Sequence, residues 1–306
     1  MSKSLQIHSL GQLREIVKST SSANLNPNSF FIATELSMHG HVDLSTAYIE
    51  EIKNSRARAA RHSYLRFLGN INNNLSKYNI SKQISHRSKL FDRLLGFDTL
   101  FFEGGPHLII VFATMYNNFG ISFPVLHSML LGQGLSILYI KNPNADMYCS
   151  GSPKLGNSID EMGRSLRKFV LDHKFKKVSV AGFSSGGYAA LFCAAIIGAD
   201  IFIGFGIRTD WSRGSELLFS QGRAAPNDID YLSNTLVNMG NYHSVDQIGR
   251  GFLYYGALDG SDVSHAENMR GKDNFELIPV KNAHHHVINS LISIGKFEKT
   301  LNIRTD

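Results

Sequence analysis

The sequence predicts an α/β protein: a mainly parallel central sheet with helices on both faces over residues 98–306, preceded by a basic N-terminal extension over residues 1–97. The first observation is a series of strand-length apolar runs after Asp98. They are His107–Thr114 (HLIIVFAT), Leu135–Ile140 (LSILYI), Lys177–Ala181 (KVSVA), Asp200–Phe205 (DIFIGF), Gly251–Gly256 (GFLYYG) and Phe275–Val280 (FELIPV). None alternates cleanly between apolar and polar residues, as befits strands covered on both faces. The last is the weakest, because Pro279 removes a backbone donor.

The second observation is that helical patterns separate these runs. The clearest opens at Ser158, with Glu161 three residues on as a capping box. It places Ile159, Met162, Leu166, Phe169 and Val170 on one face. Strands alternating with helices imply βαβ units and a parallel sheet. The third observation is a Gly-rich turn, Gly182-Phe183-Ser184-Ser185-Gly186, set directly between a strand and an Ala-rich helix.

The N-terminal region is less patterned. Ser29–Met38 (SFFIATELSM) reads as a strand, Thr46–Phe67 has helical composition, and the Asn-rich Asn70–Asn79 (NINNNLSKYN) reads as a polar loop or frayed connection. No internal repeat is evident.

Composition bounds the function. The 306 residues are 43% hydrophobic, enough for a well-filled core. No apolar run approaches the ~20 residues of a membrane-spanning helix. Residues 1–10 carry no apolar core or cleavage signature of an export signal. Cys193 sits in an apolar Ala/Leu/Ile stretch, so Cys149 and Cys193 read as free thiols, and the expected compartment is reducing and cytoplasmic. Residues 53–93 hold ten Lys or Arg against one acid, Asp92, within a chain of net charge +6. Such a field attracts anions of many kinds. Aromatic–basic interleaving and zinc spacings are missing, which argues against nucleic acid as a partner and against a metal.

The G-x-S-x-G segment carries the chemistry. A serine held in a sharp strand-to-helix turn projects its Oγ out of the sheet, and the amides at the following helix N-terminus favour developing negative charge there. Ser184 is in frame as the nucleophile; Ser185 is flanked by Phe183 and Gly187 and is not. The competing reading is a phosphate-binding βα turn, but no G-x-x-x-x-G-K-[ST] sequence is present.

With these residues in view, the chain resembles the α/β-hydrolase superfamily over about residues 98–298, chiefly through GFSSGGYAAL (182–191). The segments NADMYCSGSPKLG (144–156) and YYGALDGSDVSHA (254–266) look like those of serine enzymes and related proteins encoded with bacterial surface-polysaccharide and glycoprotein export systems, among them hydrolase-fold glycan O-acetyltransferases. The resemblance implies the chain order nucleophile, acid, histidine.

The histidine is then sought in His284-His285-His286, after the last strand. In the resembling proteins it stands just before an amphipathic helix with a hydrophobic residue two positions on, which puts His285 first and His286 second. The acid is sought after Gly251–Gly256: Asp262 heads the D-x-x-H-A arrangement of the polysaccharide-linked group, and Asp259 follows the more general hydrolase habit. Asp262 is preferred, and the other is read as a cap or turn residue.

The oxyanion hole is expected from the backbone N–H of Ser185 and from Met115 or Tyr116, in the loop leaving the strand His107–Thr114. Arg208 and Trp211 follow Asp200–Phe205 at the carboxyl edge of the sheet, where ligands gather, and are read as substrate-binding. A structural loop is the competing reading, since tryptophan is mostly a packing residue.

The expected function is acyl-ester chemistry through an acyl-Ser184 intermediate, as an esterase on an acylated, glycan-type substrate. The alternatives are an acetyl-CoA-dependent polysaccharide O-acetyltransferase and a non-catalytic scaffold of an export system. Hydrolysis calls for no cofactor; transfer takes acetyl-CoA as acyl donor. Arg56, Arg58, Arg61 and Arg66 would suit an acidic substrate, although a solvated basic helix face explains them as well. Oligomeric state is not legible.

Overall fold

The computed structural model describes Ala33, Leu36, Ser37 and residues 41–54, 62–76, 78, 98–115, 117–142, 144, 146–212 and 236–301. Tyr116 and the basic residues Arg56, Arg58 and Arg61 lie outside the described residues. The chain divides into two compact units. One comprises residues 1–96, 121–129 and 291–298; the other comprises 97–120, 130–290 and 299–306.

The second unit holds a seven-stranded sheet: β1 (Thr99–Phe102), β2 (His107–Phe112), β3 (Ser136–Ile140), β4 (Lys177–Phe183), β5 (Ile201–Phe205), β6 (Arg250–Gly256) and β7 (Phe275–Val280). Their order is β1-β3-β2-β4-β5-β6-β7. Every pairing is parallel except β1 with β3. The apolar runs predict β2 to β7; β1, only four residues long, escapes that pattern.

Both sheet faces are covered. On one, Leu108, Ile110, Phe112, Val178, Val180 and Phe202 join a core with the helices that follow β3 and β4. On the other, the residues of opposite parity, Ile109, Val111, Ile137, Tyr139, Ile203 and Phe205, are also buried. That double burial is why these strands read as unbroken apolar runs.

Among the described residues the helices are α1 (Val42–Asn54), α2 (His62–Ser76), α3 (Phe123–Leu130), α4 (Ile159–His173), α5 (Ser184–Ile197), α6 (Gly260–Glu267), α7 (Val287–Ser293) and α8 (Phe297–Thr300). None is long and apolar enough to cross a membrane. The predicted start of α4 is present: Ser158 is its N-cap, accepting from Glu161 N at 3.1 Å. The Glu161 carboxylate reaches back to Asn157 N at 2.8 Å, one residue before the cap. Ile159, Met162 and Leu166 of α4 are fully buried, and each such burial stabilises by about 1.5–3 kcal/mol.

Helix α5 is apolar all round, because it packs on β2, β4 and β5 and is itself covered by α4. Cys149 and Cys193 are free and buried, and burial pushes both thiols well up. The strand arrangement, with a sharp strand-to-helix turn leaving central β4, is the α/β-hydrolase fold.

The N-terminal unit corrects two expectations. Ala33, Leu36 and Ser37, inside the stretch read as a strand, are helical. Residues 70–76 of the Asn-rich stretch read as a loop or frayed connection form the second half of α2. Leu68, Ile71 and Leu75 recur at helical spacing and are fully buried there, and this apolar face outweighs the weak helix propensity of asparagine. Asn72 is buried among hydroxyls: its Oδ1 accepts from Ser37 Oγ at 2.6 Å, and its Nδ2 donates to Ser45 Oγ at 3.0 Å and Thr46 Oγ1 at 3.1 Å.

Candidate functional site

The turn from β4 into α5 sets the site. Ser184 has φ +51°, a left-handed conformation that a non-glycine residue adopts only when its surroundings impose it. The glycines on either side have no room for a side chain. A Cβ on Gly182 would stand 2.6 Å from both Ala190 Cβ and Gly187 Cα, and one on Gly186 would collide with the carbonyl of Ala113. The glycines let the elbow fold tightly against α5 and the end of β2.

Three of the sequence-selected side chains meet there. His285 Nε2 lies 2.7 Å from Ser184 Oγ, and His285 Nδ1 lies 2.7 Å from Asp262 Oδ1. Asp262 is 4% exposed and His285 33%. The second carboxylate oxygen of Asp262 accepts from Gly256 N at 3.1 Å. With Ser184 Oγ–H donating to Nε2, the Nδ1–H donates to Asp262, so one tautomer satisfies the whole chain. The Phe183 ring lies 5.6 Å from the His285 ring and flanks it on the strand side.

The alternates go elsewhere. Asp259 is the N-cap of α6, accepting from Ser261 N at 3.0 Å and Asp262 N at 3.1 Å. Those two N–H bonds, led by that from Asp262, hold its carboxyl below the usual range. The His286 ring lies beside Phe183 at 6.3 Å and His285 at 5.9 Å. Burial, then the neighbouring His285, lowers its pKa. His284 is exposed. Among the described residues no group of three or more His, Cys, Asp or Glu side chains could hold a metal ion.

Of the expected oxyanion donors, the amide of Ser185 stands in the first turn of α5, where backbone N–H groups lack partners within the helix. Met115 N donates to Ser185 Oγ at 3.0 Å. On either side of Tyr116, Thr114 N donates to Asn118 O at 2.7 Å, and Asn142 N donates to Asn117 Oδ1 at 3.0 Å. Arg208 and Trp211 do come together, the guanidinium lying over the indole 4.8 Å from the ring centroid.

Two features of the site escape the sequence reading. The buried Tyr148 hydroxyl sits 2.8 Å from Ile140 O and 3.0 Å from Ala113 O, bracing the ends of β3 and β2 under the Met115 loop. The D-x-x-H-A segment pointed to Asp262, but Thr209 carries no local signal. It is fully buried and ties the loop after β5 to α6: its Oγ1 donates to His265 O at 2.6 Å and accepts from Asn268 Nδ2 at 3.0 Å.

No protein-family model matches the chain, and no curated protein matches it in sequence. Solved structures do. A carboxylesterase from the ammonia-oxidizing thaumarchaeon Nitrososphaera gargenis is similar at 14% identity and TM-score 0.44, over 64% of this chain and 89% of its own. A metagenome-derived lipolytic enzyme is similar at 10% identity and TM-score 0.47, over 66% of this chain and 96% of its own. An esterase from Pyrococcus furiosus is similar at 17% identity and TM-score 0.44, over 66% and 86%. Likenesses this distant say nothing of activity. The fold rests on strand order and the elbow.

Proposed function

We propose that the chain is a serine esterase acting through an acyl-Ser184 intermediate. The observation that carries this is the continuous chain Ser184 Oγ–His285–Asp262, with both links at 2.7 Å and the serine in a left-handed elbow. In the first half-reaction Ser184 Oγ attacks the ester carbonyl carbon while its proton passes to His285 Nε2. Asp262 accepts the Nδ1–H throughout, fixing the ring and stabilising the imidazolium. The carbonyl oxygen takes the negative charge and is met by the Ser185 N–H at the N-terminus of α5. His285 then gives its proton to the departing alcohol as the tetrahedral species collapses to the acyl-serine.

In the second half-reaction a water loses a proton to His285 and attacks the acyl carbon. The carboxylic acid leaves, and the proton returns to Ser184. Proton transfer of this kind contributes typically ~10²–10⁴-fold to rate. Neither half-reaction calls for a cofactor. The two free, buried thiols support a reducing, cytoplasmic compartment.

The resemblance of residues 144–156 and 254–266 supports an acylated glycan as the substrate class and favours a second reading, acyl transfer from acetyl-CoA to a sugar hydroxyl. The two readings share the acyl-enzyme and differ in what attacks it. The deciding experiment is fluorophosphonate labelling with Ser184→Ala as control, followed by competition with acetyl-CoA and with simple acetyl esters. Labelling of Ser184 protected by acetyl esters supports the esterase, and protection by acetyl-CoA moves the reading to transfer. An unlabelled wild-type protein would leave the fold as a non-catalytic scaffold.

A further inference from the structure

Arg208 is unusual among the charged residues of the sheet unit. It is half-buried, yet among the described residues its guanidinium makes no hydrogen bond or ion pair and lies over the face of Trp211. Withdrawing a cation from water without a counter-charge is costly. Neither Asp210 nor Asp262 forms an ion pair with Arg208. Asp210 Oδ1 accepts from Ser212 N at 2.9 Å and Ser212 Oγ at 2.7 Å, and Asp262 is held by His285 and Gly256.

The backbone on either side of Arg208 is pinned to the site. At Gly206, with φ +50°, a Cβ would stand 3.0 Å from His285 O and 3.1 Å from Asp262 Oδ2, so the chain passes directly against the triad. At Thr209 the hydroxyl and amide bond to His265 on α6, the helix that carries Asp262. Arg208 also reaches His265 electrostatically, helping to lower its pKa after burial has done so. Stacking on an aromatic face leaves the five N–H donors of a guanidinium in plane and available, and reduces the rotamer freedom lost on binding.

We infer that Arg208, stacked on Trp211, is an anion-recognition residue beside the candidate triad, and that the ester this site takes carries a carboxylate or an equivalent planar anion. This deepens the esterase reading and rests on it for the word ester, but the anion site itself can be tested without turnover. An incoming carboxylate supplies the missing counter-charge through two parallel N–H···O bonds. The anion can lie on the acyl side or the alcohol side of the scissile bond; the recognition chemistry is the same.

Trp211 is the sole tryptophan, so its fluorescence reports directly on the stacked guanidinium. The first measurement titrates the full-length Ser184→Ala protein with benzoate and with the neutral isostere benzamide. A saturable change with benzoate only, abolished in Ser184→Ala/Arg208→Gln, is expected. A response to neither ligand, to both alike, or one that survives loss of Arg208 overturns the inference.

The second measurement compares kcat/KM for two pairs: 4-acetoxybenzoate against its methyl ester, and mono-4-nitrophenyl adipate against its methyl ester. Wild type should prefer the anion in one pair, which identifies the side, and Arg208→Gln should lower that preference about tenfold or more. A merely structural Arg208 would lower both members of a pair in proportion and leave the ratio unchanged, which sinks the proposal. Failure to turn over any of the four esters counts against the esterase reading alone, because the fluorescence titration still decides the anion site.

Discussion

Met115 N donates to Ser185 Oγ at 3.0 Å, so the loop leaving β2 is tied to the residue that follows the candidate nucleophile. Ser185 therefore has two separable parts: an amide facing the elbow and a hydroxyl holding the neighbouring loop. Ser185→Ala keeps the first and removes the second. Its kcat on a simple acetyl ester should fall no more than about tenfold, against a loss on the order of 10⁴-fold for Ser184→Ala. Matched single-turnover assays, with circular dichroism to verify folding, make the comparison. A Ser185→Ala loss as large as that of Ser184→Ala would mean the nucleophile is misassigned.

The two aspartates of the acid loop should separate in the same way. Asp262→Asn leaves a side chain that no longer favours the Nδ1–H tautomer of His285, and kcat should drop on the order of 10³–10⁴-fold with little change in KM. Asp259→Ala removes the cap of α6, so thermal unfolding should reveal about 0.5–2 kcal/mol of destabilisation with kcat largely kept. A reversed pattern would make Asp259 the acid.

How much of this was legible depends on what signal each residue leaves. Ser184 announces itself because three constraints coincide locally: strand, glycines and helix. Asp262, His285 and Arg208 stand where strands end, so the alternation of strands and helices narrows each to a short loop, while the preference for Asp262 over Asp259 comes from the resemblance of its D-x-x-H-A segment. Choosing His285 over His286 needs the turn after Ala283 to set which ring faces the elbow, and one residue of register decides it. Thr209 and Tyr148 leave no signal at all, since each works by a hydroxyl reaching backbone far away in sequence. The Asn-rich stretch misleads because its composition masks a helical period, carried by Leu68, Ile71 and Leu75.

Asn72 offers a test of that correction. Its amide satisfies the hydroxyls of Ser37, Ser45 and Thr46, and it is 2% exposed. In a loop, Asn72→Ala would be nearly silent. Inside the buried end of α2 it strands several polar atoms, so chemical denaturation should show a loss of about 1–3 kcal/mol. Asn73→Ala, on an exposed neighbour, should cost a few tenths at most.

The pH dependence of stability should carry the mark of His265. Burial, then the charge of Arg208, lowers its pKa from the ordinary value near 6.5. The neutral ring is the form that fits: its Nδ1 accepts from Thr209 N at 3.4 Å, which a protonated ring cannot do. Because the folded-state pKa lies below the unfolded one, the unfolded chain binds the proton more readily in the window between them. Stability from this group is therefore fully present above the unfolded value and lost as pH falls from about 6.5 toward the folded value. Melting temperatures measured from pH 7.5 down to 5 should fall, and His265→Gln, whose side-chain oxygen can still accept from Thr209, should show a shallower decline. An identical slope in wild type and variant would remove His265 from the account.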